Sequence, residues 1–570
     1  MMKQHVLVNT SLVLALICLI GFVCVIVSCL NKGFELSDES YYLLSTKYPL
    51  DTVLLNSSFG LINHRLAFGC SDLFSLRLFK LMYQLLFLGI FARAFFLYAI
   101  RNVNAKRNNV LLLSVLIIIT GLSNYDYLPM TLSYNSWSLN FGLLFWSGLL
   151  FAHIIESKRG VAFSNLLMGL SVLFLFYTKA PNALMMGFVF ILYGFLFQRK
   201  NLLNAFLLFG LGKIAGIIIL FLSVEDFRNA TVNLYQTILN TNHAEVGSYF
   251  GQISEMISSG LGIRFFLLQG ALLAFMYFVR RLNFNPIIGL LLIILNTYFT
   301  WNYLKGNSYD VSNEFKVFAV FAFNCFATII LFFTGKHDLK SALIPILLIL
   351  TPFMLAAGTS NSIFYTSSQL FVLSIAGLFL LLLRINKSEM ELYYVYSFAF
   401  ITFFVGSFLY NGMIKTPYRQ TNLSEKSTII SESRQIKNIL ENNERAAKYK
   451  ELSDKLKLHN SQNLDVLSSP PALGGLILTD MKPFAVCWIA DPDEMAEANE
   501  EYFKKVNFNS AKPFLVISRK ILNGEKQNKI FRNAGMDLKK DYTIKDSIYL
   551  ELNKEYYFFM KPILMLDAST

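Results

Sequence analysis

The feature that most constrains this chain is a recurrence. Over the first 413 residues, apolar stretches of membrane-spanning length follow one another: Val6–Leu30, Leu73–Ile100, Val110–Leu128, Leu132–Ile155, Val161–Tyr177, Ala180–Phe197, Leu202–Val224, Ile263–Val279, Pro286–Trp301, Phe315–Thr334, Ala342–Gly358, Ile363–Leu383 and Leu392–Met413. A helix needs about 20 apolar residues to cross a bilayer. These thirteen segments therefore predict a polytopic α-helical membrane protein, with Pro286–Trp301 at the short limit. Only 15% of residues are charged and 55% are hydrophobic, against roughly 25% charged in a soluble domain. That excludes a soluble multidomain enzyme and a disordered chain. After Met413 the pattern changes. Residues 414–570 interleave charges with short apolar runs and read as a soluble α/β domain, so the chain divides into 1–413 and 414–570.

The net charge of +13 raises the question of nucleic acid, and the distribution of charge answers it. One set of alternate loops carries Lys3; Arg101, Lys106 and Arg107; Lys158 and Arg159; Arg199 and Lys200; Arg280 and Arg281; Lys336 and Lys340; Arg384 and Lys387. The opposite loops, although longer, hold only Lys32, Lys47, Arg65, Lys179, Arg228 and Lys305. Short basic loops stay in the cytoplasm. The N-terminus is therefore expected inside and the C-terminal domain outside a plasma (inner) membrane. Most of the basicity is topological, and no nucleic-acid partner is expected. Ile26-Val27-Ser28-Cys29 resembles a lipoprotein processing site, but the apolar run before it is long for a signal peptide and reads as a span. Cys70 and Cys487 share the outer side and could pair; no Cys/His spacing suggests zinc.

The outer face holds the unusual residues. Its first loop, 31–72, contains Glu35-Leu36-Ser37-Asp38-Glu39-Ser40-Tyr41-Tyr42-Leu43-Leu44. Ser37 is placed to cap a short helix with Asp38 and Glu39 in its first turn. Leu36, Tyr41, Leu43 and Leu44 would then lie along the bilayer surface. The bland alternative is that the two carboxylates only cap that helix. Asp126 sits in the short link 123–131, where it could equally be a turn residue. Lys179 interrupts the apolar hairpin Phe176-Tyr177-Thr178-Lys179-Ala180-Pro181-Asn182, either snorkelling or binding an anion. Arg77 and Lys80 at the start of the second span invite the same two readings. Loop 225–262 adds Glu225, Asp226, Arg228, His243 and Glu245, each more readily read as a solvated loop residue.

Carboxylates near lipid headgroups, opposed by isolated cations, suit one task. The cations hold the phosphate of a membrane-borne donor. A carboxylate takes a proton from an acceptor hydroxyl. A divalent cation such as Mg or Mn, bridging carboxylate and phosphate, would stabilise the leaving group, with Glu39 and Asp126 as its candidate ligands. Transport predicts ionisable residues at mid-membrane instead. Lys213, beside Gly210, Gly212 and Gly216, is the main one, and there is no internal repeat.

Three motifs carry a family resemblance. Asp38-Glu39-Ser40-Tyr41-Tyr42 resembles the Asp-Glu motif that follows the first span in the GT-C superfamily of polyprenyl-phosphate-sugar-dependent glycosyltransferases. That group includes protein O-mannosyltransferases, lipid A aminoarabinose transferases and oligosaccharyltransferase catalytic subunits. Ser75-Leu76-Arg77-Leu78 resembles its recurrent Arg-Leu, and Gly169-Leu170…Thr178-Lys179-Ala180-Pro181 resembles its Gly-Leu…Thr/Ser-Lys-x-Pro hairpin. Where the aminoarabinose branch has Lys-Pro-Pro, this chain reads Asn63-His64-Arg65-Leu66. It also lacks the Trp-Trp-Asp of the oligosaccharyltransferases, since Trp488 stands alone.

The resemblance implies transfer of one sugar, with inversion, from a polyprenyl-phosphate donor to a hydroxyl of a glycan, lipid or protein. It implies Asp38 as general base, Glu39 as its orienting partner, and Arg77 and Lys179 on donor phosphate. Asp126, Tyr41, His64 and Arg65 are further candidates for substrate contact. A polysaccharide polymerase or ligase acting on a lipid-diphosphate-linked glycan, and a transporter or flippase, are the rivals.

In the C-terminal domain, Glu425–Leu458 is expected to be helical and Pro470-Pro471-Ala472-Leu473-Gly474-Gly475 a turn-rich boundary. Strands are expected at Pro513–Ile517, Ser547–Leu552 and Tyr556–Met560, and helices at Asp493–Lys505 and Gly524–Ala534.

Overall fold

A computed structural model describes residues 2–49, 58–221, 226–231 and 339–563, apart from single positions and short stretches, chiefly 357–362, 385–389 and most of 485–511. The expected spans at 263–279, 286–301 and 315–334 lie outside the described residues, as do Cys487 and most of the helix expected at 493–505.

The long helices are α1 (Met2–Cys29), α4 (Leu73–Val103), α5 (Arg107–Gly121), α6 (Tyr134–Ile154), α7 (Lys158–Thr178), α8 (Ala180–Phe197) and α9 (Leu202–Leu220). Two short helices, α2 (Asp38–Lys47) and α3 (Phe59–Leu66), occupy the first loop. Further along come α10 (Leu339–Leu355), α11 (Ile363–Ser368), α12 (Val372–Arg384) and α13 (Met390–Phe408), the last running into a π-helical turn, Leu409–Lys415. Eight helices among the described residues are long and apolar enough to cross a membrane. Two expected spans come out shorter. Ala342–Gly358 keeps an apolar helix only over Ala342–Leu355, and Ile363–Leu383 is broken between α11 and α12 by the turn at 369–371.

Helices α7 and α9 pack through glycines. A Cβ at Gly169 would lie 1.9 Å from the Phe209 carbonyl oxygen, and one at Gly212 would lie 2.1 Å from that of Leu166. Small residues let apolar helices approach closely where no hydrophobic effect drives them together. The glycines around Lys213 are thereby given a packing role. Lys213 itself is half-buried, its ammonium 4.9 Å from the centre of the Phe209 ring.

The C-terminal domain carries a four-stranded sheet in the order β3-β4-β6-β5, from β3 (Val466–Ser468), β4 (Phe514–Ser518), β5 (Tyr542–Leu550) and β6 (Glu555–Pro562). Strands β3 and β4 are parallel; β4–β6 and β5–β6 are antiparallel. Phe514 and Val516 join the core shared with the bundle, while Leu515 and Ile517 enter a second core. This explains an unbroken apolar run in β4, a strand buried on both faces.

The expected helix Glu425–Leu458 is only half realised. Its first part forms a two-stranded ribbon, β1 (Thr428–Ile429) with β2 (Leu440–Glu441), and helix α14 starts at Asn443 and ends at His459. Asn442 caps it, accepting from the Arg445 N–H at 2.8 Å. The expected turn at 470–475 instead leads into a buried helix, α15 (Leu473–Thr479).

Candidate functional site

The site is built on an irregular strip, residues 30–37, that joins α1 to α2. Irregular backbone next to a bilayer must satisfy its polar groups within the protein, and here two halves of the molecule do so. From the bundle, Arg77 Nη1 donates to the carbonyls of Leu30 (2.9 Å) and Lys32 (3.0 Å), and Nη2 to that of Gly33 (2.7 Å). From the C-terminal domain, Leu440 N–H donates to Asn31 O (2.7 Å), and its carbonyl accepts from Gly33 N–H (2.7 Å). Glu441 accepts from Phe34 N–H (3.2 Å), the Tyr449 hydroxyl donates to Phe34 O (2.7 Å), and Gly474 N–H donates to Leu36 O (2.8 Å). Gly33 has φ +70°, a backbone conformation that strains other residues, and a Cβ there would also displace the Gln420 side chain. The C-terminal domain thus lies on the same face of the bundle as the Asp-Glu helix.

The strip delivers α2, but not as expected. Ser37 makes no side-chain cap. Glu35 caps the helix instead: Oε1 accepts from Ser37 N–H (2.9 Å) and from the Ser37 hydroxyl, and Oε2 accepts from Glu39 N–H (3.0 Å). Glu39 answers by accepting from Glu35 N–H at 3.2 Å. Leu36, Leu43 and Leu44 are buried in protein rather than laid on lipid. Burial pushes the Glu35 carboxyl up to about 7. The Asp38 charge adds to that shift; the Ser37 hydroxyl, Arg419 and the Glu39 N–H oppose it.

The adjacent carboxylates Asp38 and Glu39 have opposite fates. Glu39 is fully buried and paired with Arg77, Nε to Oε1 at 3.0 Å and Nη2 to Oε2 at 2.6 Å. With those two bonds and the three carbonyls, every N–H of Arg77 is used. The expectation that Arg77 meets donor phosphate therefore gives way to a role inside the fold. Lys80, one turn on, is likewise buried, donating to Pro129 O (2.9 Å) and lying over the Tyr125 ring.

Asp38 faces outward, its side chain 18% exposed. The Tyr418 hydroxyl donates to Oδ2 at 2.5 Å, and Arg419 Nη1 stands 3.7 Å from Oδ1. Arg419 also donates to the Ser37 hydroxyl oxygen at 2.7 Å. Burial and the Asp38 charge hold the Tyr418 phenol above its usual range, so it is a hydrogen donor at neutral pH. Tyr42, Phe59 and Tyr134 form an aromatic wall beside the carboxylate, with ring centres 5.2 Å (Tyr42–Phe59) and 6.0 Å (Phe59–Tyr134) apart; Tyr41 packs on Phe59 at 5.8 Å. A capping box at Ser133 and Ser136 fixes the start of α6 and so places Tyr134.

The other expected residues share this end of the bundle without meeting Asp38 directly. Lys179 caps the α7–α8 hairpin; its ammonium is buried and has no hydrogen-bond partner among the described residues. The hairpin is tied to α3 by the bond from Ser58 N–H to Tyr177 O and to α6 by Asn182 Nδ2 donating to Ser138. His64 Nδ1 bonds to Thr46 O (3.0 Å), and Arg65 turns to Leu220 O (3.1 Å) and Asp226 (3.8 Å). Asp126 is buried in the link after α5. Near it, polar atoms of Asn124, Tyr125, Thr131 and Gln369 are buried without a partner among the described residues.

Among the described residues the metal candidates Glu39 and Asp126 do not converge on a cation site. Both Glu39 oxygens are taken by Arg77, and no group of three or more His, Cys, Asp or Glu converges among the described residues. Sequence reasoning missed Glu35, Tyr418 and Arg419. The available signal was Pro417-Tyr418-Arg419 at the exit of the last span; Arg419 has a left-handed φ of +51°, a conformation a side chain keeps only when its surroundings impose it.

No protein-family model and no curated protein matches the sequence. Among solved structures, the chain is similar to ArnT from Cupriavidus metallidurans bound to undecaprenyl phosphate, with 11% identity, a TM-score of 0.42, and 96% of this chain and 97% of that chain covered. It is similar also to the same protein in the apo state, with a TM-score of 0.41 at the same identity and coverage.

Proposed function

We propose that the chain is a membrane glycosyltransferase that moves one sugar from a polyprenyl-phosphate donor to an acceptor hydroxyl of a glycan, lipid or protein at the outer face of the inner membrane. The observation that carries this reading is Asp38. It is the carboxylate of the Asp-Glu pair that stays open to an outside ligand, and it is held by Tyr418 and Arg419. Glu39 is spent on Arg77.

Asp38 accepts the proton of the acceptor hydroxyl. The acceptor oxygen forms a bond to the anomeric carbon from the face opposite the phosphate. The bond from that carbon to the phosphate oxygen breaks, and the electron pair leaves on polyprenyl phosphate. A general base within hydrogen-bond reach of the nucleophile contributes about 10²–10⁴-fold. Lys179, buried at the same end with no hydrogen-bond partner among the described residues, supplies the cation for the donor phosphate. Tyr41 and Tyr134, the partly exposed rings of this aromatic group, offer a surface for a sugar ring.

The test uses the full chain in detergent or nanodiscs, radiolabelled undecaprenyl-phosphate hexoses and pentoses, and a cell-envelope extract as acceptor. The reading requires label transfer by wild type and its loss in Asp38→Asn with folding intact. Transfer by Asp38→Asn at a near-normal rate sinks it.

A further inference from the structure

Glu35 has no part in the transfer just described, yet it is fully buried and directs three hydrogen bonds into the start of α2. Two of those bonds, from the Ser37 and Glu39 N–H groups, cap a helix. The third does something a cap does not need. The Ser37 hydroxyl has one proton, and that proton goes to Glu35. Its oxygen is left with lone pairs only, and one of them accepts from Arg419 Nη1 at 2.7 Å. A guanidinium can only donate, so with Glu35 ionised the chain runs from Arg419 to Ser37 to Glu35. The same Nη1 stands 3.7 Å from Asp38 Oδ1. Arg419 comes from the segment after the last span and bears a left-handed backbone; its guanidinium lies over the Tyr418 ring at 4.9 Å, and Ser37 supplies its hydrogen-bond acceptor beside Asp38.

We infer that Glu35 is a positioning residue for the transfer: through the Ser37 hydroxyl it holds Arg419 against Asp38, which fixes the orientation of the carboxylate that receives the acceptor proton. This rests on the function proposed above. A hydroxyl turned away from Glu35 would point its proton at the guanidinium and release Arg419. Asp38 would then keep only Tyr418, and its plane would be free to turn about that one bond. The relay thus acts on the chemical step and not on the binding of the donor, whose phosphate lies with Lys179.

Ser37→Ala separates this role from the cap, because Glu35 keeps both backbone N–H bonds. With the undecaprenyl-phosphate sugar that wild type turns over, we expect Ser37→Ala to lower kcat about 10-fold and to leave the donor KM within about 2-fold. Ser37→Thr, which keeps the hydroxyl, should restore kcat. Full turnover by Ser37→Ala, or an equal loss in Ser37→Thr, overturns the inference. A second readout needs no activity. Phenylglyoxal labelling of Arg419, followed by mass spectrometry of the folded full chain, should be several-fold faster in Ser37→Ala than in wild type. Unchanged labelling overturns the relay. If wild type transfers no sugar while Arg419 labelling still responds to Ser37, the proposed function fails and the positioning stands.

Discussion

The two ends of the helical bundle use arginine in opposite ways. At the end carrying α2, Arg77 is fully buried, pairs with a carboxylate and holds three backbone carbonyls in place. At the other end, Arg101 is exposed and reaches one carbonyl, that of Ile154, at 2.8 Å, and Arg384 lies 3.4 Å from the Tyr98 hydroxyl. One end spends its charges on geometry; at the other the cations make few contacts. A charged residue in such a chain is therefore informative when it sits against the basic bias and is buried.

That contrast can be broken by substitution, and the largest effect belongs to Asp38. Asp38→Asn should lower sugar transfer by about 10²–10⁴-fold with an unchanged melting temperature, measured on the purified chain. Arg77→Ala should cost about 3–5 kcal/mol, because it strands the buried Glu39; the check is loss of folded protein on size-exclusion chromatography. Arg77→Lys should recover only part of this, since an ammonium cannot reproduce the two-pronged contact. Tyr418→Phe, which removes one hydrogen bond to Asp38, should reduce kcat about 10-fold, read in the same assay.

A pH effect follows from Glu35. Its carboxyl is raised from 4.5 to about 7 in the fold. Between those values the folded chain holds a proton that the unfolded chain has released, so stability falls as pH rises through that window. Thermal melts of Glu35→Gln from pH 5 to 7 should have a shallower slope than wild type. At the bottom of the scale, Arg101→Gln should change stability by no more than about 0.5 kcal/mol, checked in the same melts. A loss as large as that of Arg77→Ala would erase the distinction between the ends.

Much of this was legible from periodicity. The grouping of loop 31–72, the Asp126 link and the Lys179 hairpin at one end follows from counting apolar stretches. The Asp-Glu pair was legible as a pair, but its division of labour was not. Neighbouring helical residues point about 100° apart, and which one faces the bundle depends on what packs there. The cap at Ser37 was misread because Glu35, two residues earlier, reaches the same N–H groups with a longer side chain. The ribbon at 428–441 was hidden by its composition: its polar residues suit a helix, but Leu440 pairs with the 31–33 strip instead. Tyr418 and Arg419 were out of reach because the contact to Asp38 spans 380 residues, and no local pattern records such a distance.

The doubly anchored strip also sets a timetable for synthesis. Its bundle-side partner, Arg77, emerges 44 residues after Gly33. Glu441 follows Phe34 by 407 residues and Tyr449 follows it by 415. While the ribosome adds everything in between, the strip has its three Arg77 bonds but none of the five from the C-terminal domain. A chain halted before the C-terminal domain is made would have its spans in place and its Asp-Glu helix formed, but no Tyr418 or Arg419 to hold Asp38. Asp38 meets its partner Tyr418 only after a further 380 residues have been added, so shorter chains lack that contact.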